Sequence, residues 1–381
     1  MMVKNHLSKN LFVVLFCIVM LSLCACSACS QGSHPEFRNK YFVSRLSQQE
    51  LNHFSLLYES ACQCKEDAEF SEPVTEETLE RLMWLLNYDC PELIHLSGDY
   101  VPHYSSTEPD LLTGVSFRYT MTKQEYENNL KELDNYFSDL QAKTNRMTDE
   151  EKELYVYDIM FNSIVFDEYS KHAGSVYGAL IEHQARCEGI SKAFTWCMQQ
   201  CGVTCLTIAG TPLWKNSGVY SSHSWNIIQL NGSYYHVDLA ADNLPSKDTK
   251  PMPPLYGFLN VDDDTIARTH LIHKVFSDLG VPECQHTDLN YHVKRKLLIT
   301  NDKDPKEQFF QILGRNYHEG QENTISIRFV TDKLYQEFIS SEADWFADYQ
   351  EQHQLSDGKD SLYYNDTALT VVFITHSVPS D

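Results

Sequence analysis

Positive charge is scarce in this chain. Its 381 residues include 30 lysines and arginines against 53 aspartates and glutamates, which gives a formal net charge of −23 at pH 7. Because proteins hold nucleic-acid phosphates mainly through lysine and arginine, this balance argues against a nucleic-acid-binding protein. A surface this acidic would attract cationic peptides or amines, although net charge also serves solubility.

Paired cysteines of the kind that bind zinc are missing from the part of the chain expected to fold. The chain has 12 cysteines, but the one pair separated by two residues is Cys26 and Cys29, close to the N-terminus. A structural zinc site normally draws on such pairs. We therefore expect neither a bound metal nor another cofactor.

The apolar run at residues 11–23 is too short for a comfortable membrane span and fits the central region of a secretory signal. It leads into LeuCysAlaCys at 23–26, which resembles a bacterial lipoprotein processing site with Cys26 as the lipidated residue. Cys29 is a second candidate, and a plain secretory peptide or an uncleaved anchor is the alternative. We expect a protein that lies outside the cytoplasm and is anchored to the cell membrane by a lipid.

Three polar side chains stand in an order that suits a nucleophile, its base and the residue that orients the base. They are Cys187, His223 and Asp238, in the segments RCEG, HSWN and YHVD. Each alone has an ordinary interpretation: a buried thiol, a histidine at a strand end and an aspartate that caps a turn. Only their joint placement, derived from the flanking residues, favours catalysis.

The placement of the histidine and the aspartate follows from a predicted hairpin. An Asn-Gly dipeptide at 231–232 separates two β-rich runs and predicts a two-residue turn, because both positions then need positive φ. In that register Trp225 faces Asp238, and His223 lies on the same face because side chains alternate along a strand. The imidazole and the carboxylate can then bond, whereas a slip of one residue would separate them.

The thiol comes from a different element. Apolar residues recur at helical spacing from 190 to 201, and Gly202 provides a natural end. Cys187 would then lie at or just before the first turn. The positive end of the helix dipole favours a thiolate there, and the amides of that turn point where an oxyanion would form.

Together these motifs resemble the core of the transglutaminase-like superfamily, and more closely its bacterial extracytoplasmic members. The similarity covers roughly residues 75–285 and includes SVYGAL at 175–180 and YHVDLA at 235–240. It implies an α+β, papain-like fold, in which the cysteine lies on a helix packed against an antiparallel sheet that carries the histidine and the aspartate.

The resemblance also implies roles for individual residues. Cys187 matches the nucleophile, His223 the general base and Asp238 the residue that orients it. Tyr177 and Gln184 are candidates for the side chain that helps to hold the oxyanion, and neither matches cleanly.

The resemblance leaves the reaction open, because the family contains cross-linkers, peptidases, amidases and inactive members. We expect a surface-anchored thiol enzyme that attacks amide bonds of a protein or peptide through a thioester, foremost a peptidase or amidase. An amine-accepting transglutaminase and a non-catalytic surface binding protein are the alternatives. The oligomeric state is not indicated.

The chain divides into five expected segments. They are a lipoprotein signal peptide at 1–25, a tether at 26–45, a helical region at 46–145, the catalytic core at 146–285 and a small α/β domain at 290–381. The last segment carries no nucleophile motif and reads as a structural or partner-binding module.

Three consecutive aspartates at 262–264, with His270 nearby, invite a metal interpretation. They lack the alternate spacing of a calcium loop. We expect the start of a helix there instead.

Overall fold

The structure is a computed structural model, and it describes residues 37, 39–213, 222–242, 252–318, 321–353 and 359–376. The predicted signal peptide lies outside these ranges, as do Cys26 and Cys29. The described residues from position 39 onward belong to one unit, Asn39–Asp381.

The last part of the predicted tether is folded. Phe42 and Val43 are fully buried, and their backbone N–H groups both donate to Asp89 Oδ2 at 3.0 Å. The prediction of a tether over 26–45 is therefore wrong at its C-terminal end, because two apolar side chains in this short segment find a buried site.

The region 46–145 contains a sheet in addition to helices. Its elements are α1 (Gln48–Cys62), β1 (Asp67–Thr75), α2 (Glu76–Tyr88), β2 (Leu96–Tyr104), β3 (Leu111–Tyr119) and α3 (Lys123–Thr144). The strands are antiparallel in the order β1-β3-β2. The prediction of a helical region is thus incomplete. β1 buries only its second, fourth and eighth residues, so it lacks the sustained alternation that predicts a strand.

The helix that carries the cysteine packs against a longer helix. This part contains α4 (Asp149–Ser163), β4 (Val165–Phe166), α5 (Val176–Leu180), β5 (Gln184–Ala185) and α6 (Cys187–Gln200). Thr148 and Glu151 form a capping box that begins α4. Phe161 of α4 and Phe194 of α6 are both fully buried in one apolar cluster, so the two helices share a core.

A five-stranded antiparallel sheet lies beside α6. Its strands are β6 (Cys205–Pro212), β7 (His223–Leu230), β8 (Ser233–Val237), β9 (Leu259–Val261) and β10 (His270–Ile272). They are ordered β10-β6-β7-β8-β9. Asn231 and Gly232 form the turn with φ of 51° and 85°, and Leu230 pairs with Ser233. The predicted hairpin and its register are confirmed.

Short helices connect the sheet to the C-terminal part. They are α7 (Asp263–Ile266), α8 (Lys274–Asp278) and α9 (Tyr291–Lys294). Asp262 Oδ1 accepts the N–H of Thr265 at 2.9 Å and so caps α7. The prediction that a helix begins at 262–264 is confirmed.

The predicted α/β segment at 290–381 contains its own sheet and apolar cluster. Its further elements are β11 (Leu298–Ile299), α10 (Pro305–Asn316), β12 (Asn323–Phe329), α11 (Asp332–His353), β13 (Lys359–Asn365) and β14 (Thr370–His376). The strand order is β11-β12-β14-β13. Ile327, Phe338 and Phe373 lie in the cluster between sheet and helices. Of the helices that the structure describes, none has the length and hydropathy needed to cross a bilayer.

Gly210 allows β10 to pair with β6. A Cβ at this position would lie 2.0 Å from Leu271 O and 2.9 Å from a ring carbon of Trp225. We expect Gly210→Ala to lower the free energy of unfolding by about 2 kcal/mol, because the strands would have to separate. Urea unfolding measures this.

Gly314→Ala is the matched control. It lies within α10, and the nearest atom to a Cβ there is Tyr349 Oη at 3.9 Å. This change should stabilise the protein by up to about 1 kcal/mol. Equal effects of the two substitutions would contradict the steric argument.

Candidate active site

Cys187 is the first residue of α6 and is half-buried. Two hydrogen bonds fasten this end of the helix to β7. Ser191 Oγ donates to Ser224 O at 2.8 Å, and Asn226 Nδ2 donates to Ser191 O at 2.8 Å. Because Ser224 directly follows His223, these bonds set the distance between the thiol and the imidazole.

A glycine lets the first turn of α6 approach the preceding loop. A Cβ at Gly189 would lie 2.2 Å from Ala173 O and 3.0 Å from Ser175 O. The backbone N–H of Arg186 donates to the same Ala173 O at 3.0 Å. A larger residue at 189 would therefore push the turn away and move Cys187 with it.

His223 and Asp238 are bonded to each other inside the protein. His223 begins β7, Asp238 follows the end of β8, and His223 Nε2–H donates to Asp238 Oδ2 at 2.6 Å. The two residues are 7% and 1% exposed, so water does not compete for the bond. The shared face that the hairpin register predicts is confirmed.

The Cys187 thiol lies near enough to the imidazole of His223 to contribute to the raised pKa of that ring. Since Nε2 is used by Asp238, Nδ1 is the ring nitrogen left for another partner. Burial lowers the pKa of His223, but the Asp238 carboxylate outweighs burial and raises the pKa to about 10. An imidazolium in this place favours the thiolate form of its neighbour.

Asp238 stays ionised although it is buried. Burial raises the pKa of Asp238, but the charge of His223 and the hydrogen bonds from His223 and His270 hold that pKa well below its usual range. The site thus keeps a carboxylate and an imidazolium side by side.

His270 is a second histidine on Asp238, and sequence reasoning missed this contact. Its Nε2–H donates to Asp238 Oδ2 at 2.8 Å, and its side chain is completely buried. No local pattern links the two residues, because β10 reaches the site only by returning to the edge of the sheet beside β6.

Residues 138–239 match a family model described as the transglutaminase-like superfamily. Over these residues the chain is similar to that superfamily. Cys187, His223 and Asp238 all lie within the matched residues. No curated protein matches the chain.

Two solved structures show a low overall likeness to the chain. One is a candidate cysteine protease from Cytophaga hutchinsonii, with 12% identity over 28% of this chain and 37% of that chain and a TM-score of 0.24. The other is described as a TGase, with 13% identity over 49% of this chain and 53% of that chain and a TM-score of 0.24. The chain thus spans less than two thirds of the length of either protein.

The two side chains considered for the oxyanion have different surroundings. The hydroxyl of Tyr177 donates to Glu132 Oε2 at 3.1 Å and is therefore engaged with α3. Gln184 lies in β5, half-buried, three residues before the cysteine. The first bond within α6 runs from Ile190 N–H to Arg186 O, so the amides ahead of Ile190 are available to an oxyanion by helix geometry.

A crevice of about 230 Å³ lies between α2, the start of β2 and the start of α6. Arg186 and Glu188, the neighbours of Cys187, line it together with Trp84 and Tyr88. Tyr88 Oη accepts a hydrogen bond from Ser224 Oγ at 3.3 Å. Tyr88 thus connects the wall of the crevice to the strand residue next to His223.

Glu188, which lines this crevice, is the centre of an ionic cluster. Glu188 is bonded to Arg186 at 2.6 Å and to Lys192 at 2.7 Å, and Asn87 Nδ2 donates to Glu188 Oε1 at 2.8 Å. Burial raises the pKa of Glu188, but Lys192 and Arg186 outweigh burial and lower it to about 2. These bonds fix the residues on both sides of Cys187.

Among the described residues, two groups each place three potential metal-ligand atoms within 4.8 Å of one another. The first group is His223, Asp238 and His270. The second group is His236, Asp263 and Cys284. In the first group, Asp238 accepts from both imidazoles. In the second, His236 Nε2–H donates to Asp263 Oδ1 at 2.9 Å, and Trp225 Nε1–H donates to His236 Nδ1 at 3.2 Å. Hydrogen bonds thus occupy these ring nitrogens.

The raised pKa of His223 makes stability depend on pH. Because that pKa rises from 6.5 to about 10 on folding, the protonated ring stabilises the fold fully below pH 6.5 and loses this effect as pH rises through about 10. The difference in free energy of unfolding between wild type and His223→Gln should shrink from pH about 7 to about 10, at about 1 kcal/mol per pH unit. Urea unfolding at stepped pH measures it. A difference that grows over this interval would contradict the argument.

Proposed function

We propose that this protein is a thiol-dependent enzyme that attacks amide bonds of proteins or peptides through a thioester on Cys187, as a peptidase or amidase. The observation that carries the proposal is the placement of Cys187 at the N-terminus of a helix that hydrogen bonds tie to the strand of His223, which is itself bonded at 2.6 Å to the buried Asp238. The match of residues 138–239 to the transglutaminase-like superfamily supports it. No cofactor takes part in the proposed reaction.

In the first half of the proposed reaction, the Cys187 thiolate attacks the carbonyl carbon of the substrate amide. A C–S bond forms and the carbonyl electron pair moves onto oxygen, where the first-turn amides of α6 stabilise it. The C–N bond then breaks, and His223 gives its proton to the leaving amine. Asp238 keeps the imidazole aligned during this transfer.

In the second half, the neutral His223 removes a proton from water, and the oxygen attacks the thioester. The C–S bond breaks, the carboxylic acid leaves, and the thiolate and imidazolium are restored. An amine in place of water would give an amide instead, which is transglutaminase chemistry. The thiol is only half-buried, so water can reach it, and this favours hydrolysis.

Replacing Cys187 should abolish the reaction. We expect Cys187→Ala to lower kcat by about 10⁴-fold, because no other group can form the thioester. Turnover of a peptide library, followed by mass spectrometry, measures the loss. Cys64→Ala is the control, since that thiol is also half-buried, and it should retain full activity.

Equal turnover by wild type and Cys187→Ala would end the peptidase proposal. A parallel reaction with a labelled primary amine and a glutamine-containing donor protein separates the two chemistries. Incorporation of the label at the expense of hydrolysis would show that an amine, not water, is the acceptor.

We also propose that the enzyme acts outside the cytoplasm and is held at the membrane by a lipid on Cys26. The polar residues that follow would separate the folded unit, which begins near Asn39, from the bilayer. The acidic chain would meet cationic peptides more readily than anionic ones.

Removal of the lipid site should release the protein. We expect Cys26→Ala to move the protein from the membrane fraction to the soluble fraction of the host cell. Without Cys26 the protein would carry no acyl chains to hold it at the bilayer. Fractionation followed by immunoblotting measures this. Cys29→Ala should stay with the membrane, and the reverse result would assign the lipid to Cys29.

A further inference from the structure

His270 and His223 compete for one carboxylate oxygen. His223 Nε2 is 2.6 Å and His270 Nε2 is 2.8 Å from Asp238 Oδ2, and the two rings have centroids 5.4 Å apart. The other oxygen, Oδ1, accepts the N–H of Ala241 at 2.9 Å. A carboxylate with two donors on one oxygen shares its charge between them.

His270 is the neutral one of the two rings. Thr269 Oγ1 lies 2.8 Å from His270 Nδ1, so the hydroxyl can donate to Nδ1 while Nε2 carries the proton that goes to Asp238. Burial lowers the pKa of His270, and the charge of His223 lowers it further, against the opposing effect of Asp238. His270 therefore supplies a hydrogen bond and no charge.

The fold holds the ring of His270 in place. Trp225 lies at a centroid distance of 4.8 Å, and Phe258 packs edge-on at 5.4 Å. The backbone of His270 pairs with Pro212 in the sheet. A ring so confined can position the carboxylate to which it donates.

We propose that His270 is a positioning residue for the reaction of Cys187: its Nε2–H fixes the carboxylate of Asp238 and takes part of its charge, so that His223 stays aligned and still releases its proton to the leaving amine. The inference rests on the proposed function. Without His270, the full charge of Asp238 acts on His223, so the His223 imidazolium becomes a weaker acid. The carboxylate to which His223 is bonded is then also less firmly positioned.

The test compares His270→Leu, which removes the donor, with His270→Gln, which keeps an N–H donor. The readout is the pH dependence of alkylation by iodoacetamide, followed by mass spectrometry on the peptide that carries Cys187. This needs no substrate, and it separates Cys187 from the other thiols. Thermal unfolding shows whether each variant is folded.

In wild type we expect a first inflection in the alkylation rate of Cys187 as the pH rises. A second inflection, at which His223 loses its proton, should follow at higher pH. In His270→Leu this second inflection should move up by about one pH unit, the effect of one charge-assisted hydrogen bond. In His270→Gln it should stay near the wild-type position.

His236→Leu is the matched control. It removes another histidine–aspartate bond, 2.9 Å long and partly buried, on the adjacent part of the sheet without touching Asp238. It should change thermal stability and leave the alkylation profile unchanged. If His270→Leu does not fold, Thr269→Val serves instead: it keeps the ring and removes the hydroxyl next to Nδ1. The second inflection should then move up by a smaller amount.

A profile of folded His270→Leu that superposes on wild type would overturn the proposal, as would equal shifts in His270→Leu and His270→Gln, or an unshifted Thr269→Val. These outcomes leave the proposed function standing. An ordinary thiol profile in wild type itself would instead remove the proposed function, and this inference with it.

Discussion

A buried carboxylate is the constraint on which the centre of this protein depends. Asp238 is 1% exposed and accepts three N–H groups, from His223, His270 and Ala241. An ionised carboxylate so far from water is tolerated only where donors surround it. The elements that supply those donors, β7, β10 and the loop after β8, are therefore fixed relative to one another.

The same constraint reaches the C-terminal sheet. Ala241 donates to Asp238, and its carbonyl accepts the Asn365 side chain at 2.8 Å. A Cβ on Gly257, in the segment that returns to the site, would lie 2.3 Å from Ala368 Cβ. The C-terminal segment thus buttresses the loop that follows Asp238, which gives a structural role to a part of the chain that has no nucleophile motif.

The thiol end of the site depends on a separate set of contacts. Ser191 and Asn226 tie the start of α6 to β7. Glu188, the residue after the cysteine, forms ion pairs with Arg186, the residue before it, and with Lys192. Because a buried charge that loses its partner is costly, this cluster resists displacement of the helix. The thiol and the carboxylate are thus positioned by different interactions that meet at His223.

The amino-acid sequence by itself determined the local parts of this arrangement. The Asn-Gly turn set the register that joins His223 to Asp238 across 15 positions, and the periodicity after residue 187 placed Cys187 at a helix start. Tertiary structure alone decided the contact of His270 with Asp238 across 32 positions and the hydrogen bond from Tyr177 to Glu132. It also decided that the mostly polar segment β1 forms a strand, by pairing it with β3. Turns and helices are encoded by residues that touch their near neighbours in sequence, whereas these contacts exist only once packing has brought distant segments together.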